Sequence, residues 1–118
     1  MQRTCDVAVR QDAGTAVLTL TGELNSSAST VLGPAYDEAV GDGDPRTVVL
    51  DFTDVDYINS TGIALVVGVL ARARAESRTL VAVGLSEHYR EIFTITRLSD
   101  FMQIYADVGA ALASPAGS

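Results

Sequence analysis

The sequence predicts an α/β fold in which a mixed β-sheet has an N-terminal hairpin and about four helices packed on it. Three observations lead to this fold class. Apolar and polar residues alternate over residues 4–10, as they do in half-buried strands. An all-apolar run at 48–50 is typical of a strand buried on both faces, and a helical pattern follows it. A second apolar run, at 79–84, is again followed by helical residues.

The first forty residues predict a hairpin and a helix. Residues 4–10 and 16–21 read as two strands joined by a turn at 12–14. Residues 28–40 carry apolar side chains at helical spacing, and Ser26 or Ser27 is expected to cap that helix. Pro34 lacks an amide hydrogen, so we expect either a bend there or a helix start close to it. Residues 41–45, rich in Asp and Gly, predict a surface loop.

Residues 47–76 form the central unit of the sequence. After the buried strand at 48–50 comes a connector, in which Asp51, Asp54 and Asp56 are expected to face solvent and Val55, Tyr57 and Ile58 the core. The polar stretch Asn59, Ser60, Thr61 and Gly62 then leads into a helix without proline. Asn, Ser and Thr cap helices because their side-chain oxygens accept from first-turn amides. A hydroxyl is therefore predicted in the positive field of a helix start.

The helix after Gly62 has an unusual distribution of apolar residues. Helical spacing predicts a core face made of Ile63, Val66, Val67 and Leu70, flanked by the small residues Ala64, Gly68, Ala71 and Ala75, which permit close approach of another element. Leu65 and Val69 fall on the far side, where a solvent-facing helix would normally carry charge. We therefore predict an exposed apolar patch at Leu65 and Val69, beside Ser60, as a docking surface.

The remaining residues complete the predicted sheet. Residues 79–84 predict a strand, and Ser86 is expected to cap a short helix that runs to about residue 94 and buries Tyr89, Ile92 and Phe93. Residues 101–105 predict a last strand and 106–113 a terminal helix. Residues 114–118 are expected to fray. The 118 residues show no linker or repeat, so a single domain is expected, with a core over about 4–113.

Composition and residue inventory exclude several classes of function. The net charge of −7 and the absence of a Lys/Arg cluster argue against nucleic-acid binding and against anionic membranes. A single cysteine, Cys5, excludes an internal disulfide and a cysteine-based metal site. Without a signal peptide or a long apolar segment, the chain is expected to be cytoplasmic and not inserted in a membrane.

The sequence carries no recognisable catalytic constellation. Its one histidine, His88, falls in a predicted first helical turn, where a solvated surface residue is expected. It contains no nucleophile elbow, phosphate-binding loop, dinucleotide fingerprint or zinc-protease motif. Asp51, Asp54 and Asp56 alternate as a solvated strand edge would and lack the bidentate glutamate of a calcium loop. We therefore predict a protein that is not an enzyme and that binds neither cofactor nor metal.

Several motifs, taken together, resemble STAS domains. They are LTGELN at 20–25, VVLDFTDVDYINSTGIAL at 48–65, TLVAVG at 79–84 and ITRLSDFMQIY at 95–105. Within this family the sequence is most similar to the bacterial anti-anti-sigma factors, also called anti-sigma factor antagonists. The resemblance covers roughly residues 7–112, nearly the whole chain. It implies a STAS domain fold over the single predicted domain.

The resemblance also implies a function and a set of partners. Ser60 matches the serine that is phosphorylated by the anti-sigma factor, itself a serine kinase of the ATP-binding, histidine-kinase-like type. Unphosphorylated, such a domain binds the anti-sigma factor and frees a sigma factor; a serine phosphatase resets it. Thr61 is a second candidate acceptor, and a monomer or weak dimer is expected. The predicted partner-binding residues are Asn25, Ser26, Asn59, Ser60, Thr61, Gly62, Leu65 and Val69.

Two positions depart from the family pattern. Asn59 stands where the family usually has Asp before the phosphoacceptor, and Asn25 stands where it usually has the Asp of Gly-Glu-Leu-Asp. Losing these carboxylates could slow phosphorylation or could make a phosphate better tolerated, and the sequence leaves both open. An alternative function is therefore a constitutive STAS adaptor, an accessory subunit of a transporter ATPase or a sensory complex without a phosphate switch.

Overall fold

The computed structural model describes residues 4–113 and contains, within them, one five-stranded sheet of order β1-β2-β3-β4-β5. The antiparallel pair β1–β2 forms the hairpin, while β2 to β5 are parallel, so the predicted α/β fold with a mixed sheet is confirmed. The strands are β1 (Cys5–Asp12), β2 (Thr15–Leu24), β3 (Thr47–Ile58), β4 (Thr79–Val83) and β5 (Gln103–Tyr105), and the helices are α1 (Leu32–Gly43), α2 (Ser60–Ala75), α3 (Glu87–Ile95) and α4 (Val108–Ala113).

The hairpin turn has two residues, Ala13 and Gly14, both with positive φ (48° and 86°). This is the geometry of a type I′ turn, whose twist matches that of the strands it joins. The β1–β2 register runs without a shift from Asp12 opposite Thr15 to Cys5 opposite Gly22. As a result, β1 is a regular strand at one edge of the sheet.

The segment between β2 and α1 differs from the prediction in its details. A 3₁₀ turn, Ser26–Thr30, precedes α1, and its capping residue is Asn25 rather than Ser26 or Ser27. Pro34 is the third residue of α1, where an amide has no intrahelical acceptor, so the predicted start near Pro34 is confirmed. The helix continues to Gly43, and the loop predicted at 41–45 is wrong in its first half.

Strand β3 is longer than the apolar run that predicts it. It continues through the predicted connector to Ile58, with register shifts against β2 between Thr19 and Thr21 and between Gly22 and Glu23. Such irregularities turn side chains from one face to the other. Ile58 is buried as predicted, whereas Tyr57 is 52% exposed and does not reach the core. Residues that look polar in sequence therefore extend a central strand.

Helices cover both faces of the sheet. Tyr36 of α1, Val66 of α2 and Phe93 of α3 pack with Leu18 and Leu50 of the sheet in the main core. Strand side chains alternate between faces, and the opposite face packs against α4 in a smaller cluster made of Val17, Val49, Val81, Val83 and Ala111. The sheet is thus a central layer, as expected for parallel strands.

The C-terminal elements are present as predicted, with β5 and α4 each two residues shorter. Ser86 caps α3, its Oγ accepting from the Tyr89 amide at 3.3 Å, as predicted. A 3₁₀ turn, Leu98–Asp100, delays β5, so the strand predicted at 101–105 begins two residues late. The predicted fraying of 114–118 lies outside the described residues. No helix in the range 4–113 has the length and apolarity needed to cross a membrane.

Candidate functional site

Because β2 and β3 are parallel, the polar loops that follow them lie at the same end of the sheet. β2 ends at Leu24 and β3 ends at Ile58, and these two residues are paired in the sheet. Asn25 and Ser26 follow the first strand, while Asn59 and Ser60 follow the second. The Asn59 amide donates to the Leu24 carbonyl oxygen at 3.1 Å, which ties the loops together. The structure therefore brings the predicted site residues Asn25 and Ser26 next to Asn59 and Ser60.

The start of α2 has a cap that leaves Ser60 accessible. Asn59 is the N-cap residue, and its Oδ1 accepts from the Gly62 amide at 2.9 Å. Ser60 and Thr61 are the first two helical residues, and both are exposed. Their amides have no acceptor among the described residues, and the first turn carries no acidic side chain. The positive end of the helix dipole is therefore open beside the Ser60 hydroxyl.

Gly62 sets how closely α2 approaches the end of β2. A Cβ at this position would overlap the Leu24 carbonyl oxygen and press on the Ile58 side chain. Gly62 is buried, so it shapes the site from within instead of offering a contact surface. Gly62 therefore positions the start of α2 against β2.

Asn25 is also a positioning residue, because only 2% of it is exposed. Its Oδ1 accepts from the Ser27 amide at 2.9 Å and from the Ser27 hydroxyl at 2.6 Å. Its Nδ2 donates to the Glu23 carboxylate at 3.3 Å. An amide suits this position because one end must accept and the other must donate.

The Asn25→Asp variant is expected to lose about 1–3 kcal/mol of unfolding free energy at neutral pH. A carboxylate cannot donate to Glu23, so two negative groups would face each other in a largely buried site. Chemical denaturation measures the change. Asn59→Asp is the matched control, since Asp caps a helix as well as Asn and its charge suits the dipole. Equal stability of both variants and the native protein would contradict the assigned role of Asn25.

The two faces of α2 are marked by two parallel lines of residues. The buried line is Gly62, Val66, Val69, Leu70 and Ala73. A second line with the same spacing starts two residues earlier, about 200° around the helix, and every member is exposed. We call it the docking stripe: Ser60, Ala64, Val67, Gly68 and Ala71. Val67 is 44% exposed, and a Cβ on Gly68 would meet nothing within 4 Å.

The predicted exposure of Val69 is wrong, and so is the predicted burial of Val67. Val69 is only 5% exposed, and Leu65 is half-buried against the core. The helix is apolar on nearly every side, so hydrophobic spacing alone does not fix its rotation. The close approach at Gly62 does fix it. The useful signal in the sequence was Gly62 itself, which lets the first turn of α2 lie close to the end of β2.

The far end of α2 is held by a cluster that the sequence did not indicate. Glu76 Oε1 accepts from the Tyr36 hydroxyl and from Arg78 Nε, both at 2.9 Å. Burial and, next, the hydrogen bond to Glu76 raise the pKa of Tyr36 to about 12. The hydrogen bonds from Arg78 and Tyr36 lower the pKa of the Glu76 carboxyl. Arg72 also lies over the Tyr36 ring, 4.4 Å from its centre, and ties α2 to α1.

The groups considered for catalysis and metal binding are dispersed. His88 is exposed on α3 and its ring packs edge-on against Tyr89, with centroids 5.0 Å apart. Asp51 accepts from the Thr53 amide and hydroxyl, at 3.0 and 2.6 Å, within β3 and beside its first register shift against β2. Across residues 4–113, no group of three His, Cys, Asp or Glu side chains is arranged to hold a metal ion.

Comparison with known proteins gives matches over most of the chain. The family model described as "Mlab, STAS domain" matches residues 7–104. The anti-sigma-B factor antagonist of Listeria monocytogenes is 40% identical over 55 residues, which is 47% of this chain and 48% of that protein. The chain thus spans about half the length of this curated relative, 48%.

Solved structures share the fold at low sequence identity. An anti-sigma factor antagonist from Mycobacterium paratuberculosis superposes with a TM-score of 0.78 at 21% identity, covering 92% of both chains. The Bacillus cell fate determinant SpoIIAA in its phosphorylated form superposes with a TM-score of 0.69 at 22% identity, covering 89% of this chain and 96% of SpoIIAA. At these identities the likeness concerns the fold.

Proposed function

Because this chain belongs to the STAS domain family, we propose that it acts as an anti-sigma factor antagonist controlled at Ser60. Unphosphorylated, it binds an anti-sigma factor through the docking stripe and thereby releases a sigma factor. The partner is a serine kinase of the ATP-binding, histidine-kinase-like type, and a serine phosphatase reverses the modification. The observation that best supports this function is that Ser60 is exposed at the start of α2 and is followed along the helix by the exposed apolar residues of the docking stripe. The name of the Listeria relative agrees with this function.

The start of α2 can accept a phosphate without refolding. The helix is capped by Asn59, so modification of the Ser60 hydroxyl leaves the capping hydrogen bond in place. Phosphate oxygens on Ser60 would meet the unpaired first-turn amides and the positive helix end, which is a favourable anion environment. Asn at positions 25 and 59 keeps both sites uncharged, which favours tolerance of the added phosphate.

A phosphate on Ser60 would block the docking stripe by charge. It adds about −1.5 to −2 charge at neutral pH, one helical turn from Ala64. A partner that covers Ala64 and Val67 would have to remove water from this dianion. The desolvation cost would abolish binding while the shape of the domain stays the same.

The test is affinity capture from the host's lysate with wild-type, Ser60→Ala and Ser60→Glu baits. The wild-type and Ser60→Ala baits are expected to retain a kinase-type anti-sigma factor. The Ser60→Glu bait is expected to bind it about 100-fold more weakly, because a charge is left buried against an apolar surface. Thr94→Glu, an exposed position on α3, is the control for added charge.

Equal capture of one partner by the wild-type and Ser60→Glu baits would contradict a switch at Ser60. Capture of a transporter ATPase by both baits would establish the constitutive adaptor instead. Purified partner and isothermal titration then give the affinity of each bait directly.

A further inference from the structure

We propose that the free edge of β1 pairs with β1 of a second copy of this chain, antiparallel and centred on Ala8. The two sheets would then form one continuous sheet across a two-fold axis. β1 lies at the end of the strand order, so its outer edge pairs with no described strand. This surface is separate from the docking stripe, and the inference stands independently of the proposed function.

The edge of β1 lacks most of the features that normally prevent strand pairing. Natural edge strands are kept short, bulged or interrupted by proline. β1 has eight residues, no proline and no register shift against β2. The opposite edge strand, β5, has only three residues. Three charged residues of β1, Asp6, Arg10 and Asp12, lie on the sheet face opposite α1, and they therefore decide whether its edge can pair.

One hydrogen bond identifies the backbone groups that face outward. The Glu23 amide donates to the Thr4 carbonyl at 3.3 Å, so Thr4 directs its backbone groups toward β2. These groups alternate in direction along an antiparallel strand. The even-numbered residues of β1 therefore bond to β2, and the amides and carbonyls of Cys5, Val7, Val9 and Gln11 face the open edge. In an antiparallel pair of β1 strands, odd-numbered residues of one copy must therefore lie opposite odd-numbered residues of the other.

Charge selects one register among those allowed. With the two-fold axis at Ala8, Asp6 of each copy lies opposite Arg10 of the other, and Val7 lies opposite Val9. An axis at Asp6 or at Arg10 would place like charges face to face, and an axis at Val9 would pair Asp6 with Asp12. An axis at Val7 would leave Asp6 opposite Ala8. Opposite charges facing across strands stabilise pairing, and like charges weaken it.

The two charged side chains are available for such a contact. Asp6 and Arg10 are exposed, and neither forms an ion pair with another residue in the range 4–113. A groove of about 350 Å³ runs between β1 and α1. It is lined by the apolar residues Val7, Val9, Val31, Pro34 and Ala35 and by the polar residues Asp6, Thr30 and Glu38. In the paired arrangement the valines of this lining, Val7 and Val9, would lie next to their symmetry-related copies and lose contact with water.

The proposal is tested by sedimentation equilibrium over a range of concentrations. The wild-type chain is expected to dimerise, while Asp6→Arg and Arg10→Asp should each dimerise at least about tenfold more weakly, because each places like charges opposite one another twice. An equimolar mixture of the two single variants should recover the association, since every facing pair is then opposite in charge. The double variant Asp6→Arg/Arg10→Asp should also recover it.

Both positions are exposed, so the melting temperatures of the four proteins, measured at a concentration at which all are monomeric, are expected to agree and provide the folding control. A wild-type chain that stays monomeric at every concentration would overturn the proposal. So would single variants that associate like the wild type, or a mixture that fails to recover association. None of these results would alter the interpretation of Ser60.

Discussion

A Gly62→Ala variant is expected to lose about 3 kcal/mol of unfolding free energy, the upper part of the range for overpacking. The added methyl would overlap the Leu24 carbonyl oxygen and press on the Ile58 side chain. Leu24 cannot easily retreat, because its carbonyl accepts the Asn59 amide hydrogen bond. Urea denaturation monitored by circular dichroism measures the loss.

Gly68→Ala is the matched control for this substitution. Gly68 is on the same helix, and an added Cβ would meet nothing within 4 Å. Replacing this glycine is expected to raise stability by about 0.5–1 kcal/mol through helix propensity alone. Equal effects of the two substitutions would show that contact with Leu24 does not fix α2.

The pair Val69→Asp and Val67→Asp is expected to separate folding from binding. Val69 is 5% exposed, so an aspartate there would bury an unpaired charge and cost about 4 kcal/mol or more. Val67 is 44% exposed and belongs to the docking stripe, so an aspartate there should change the melting temperature little. It should nevertheless weaken partner capture about 100-fold, as at the centre of an interface.

Thermal melting and affinity capture of the same two proteins provide the measurement. A large loss of stability in Val67→Asp would show that this side chain supports the fold. A folded Val67→Asp variant that captures partner normally would rule out the docking stripe as the binding surface. Val67→Ala, which keeps the site apolar, is the control for loss of side-chain volume.

The sequence predicted those features that depend on local chemistry. Alternating residues indicated the hairpin, and the polar stretch at 59–62 indicated the junction between β3 and α2. Both depend on rules that act over a few residues, namely strand alternation and helix capping. The order of strands and helices followed from these elements, which is why the fold class was predictable.

Features that depend on distant contacts were not predictable in the same way. Val67 and Val69 are the same residue type two positions apart, and the packing of α2 on the sheet, with Gly62 against Leu24, decides which one is buried. The length of β3 depends on pairing with β2, which draws polar residues into a strand. The contact between Tyr36 and Glu76 joins residues 40 positions apart, and no local pattern marks it.

Helix α2 is held at both of its ends, at the first by Asn59 and Gly62 and beyond the last by Glu76. A helix fixed in this way has little conformational entropy left to lose when another protein covers it. Binding energy at the docking stripe is then not consumed in ordering this side of the complex. A small surface of alanine, glycine and valine can consequently support a specific association, although it offers few large side chains.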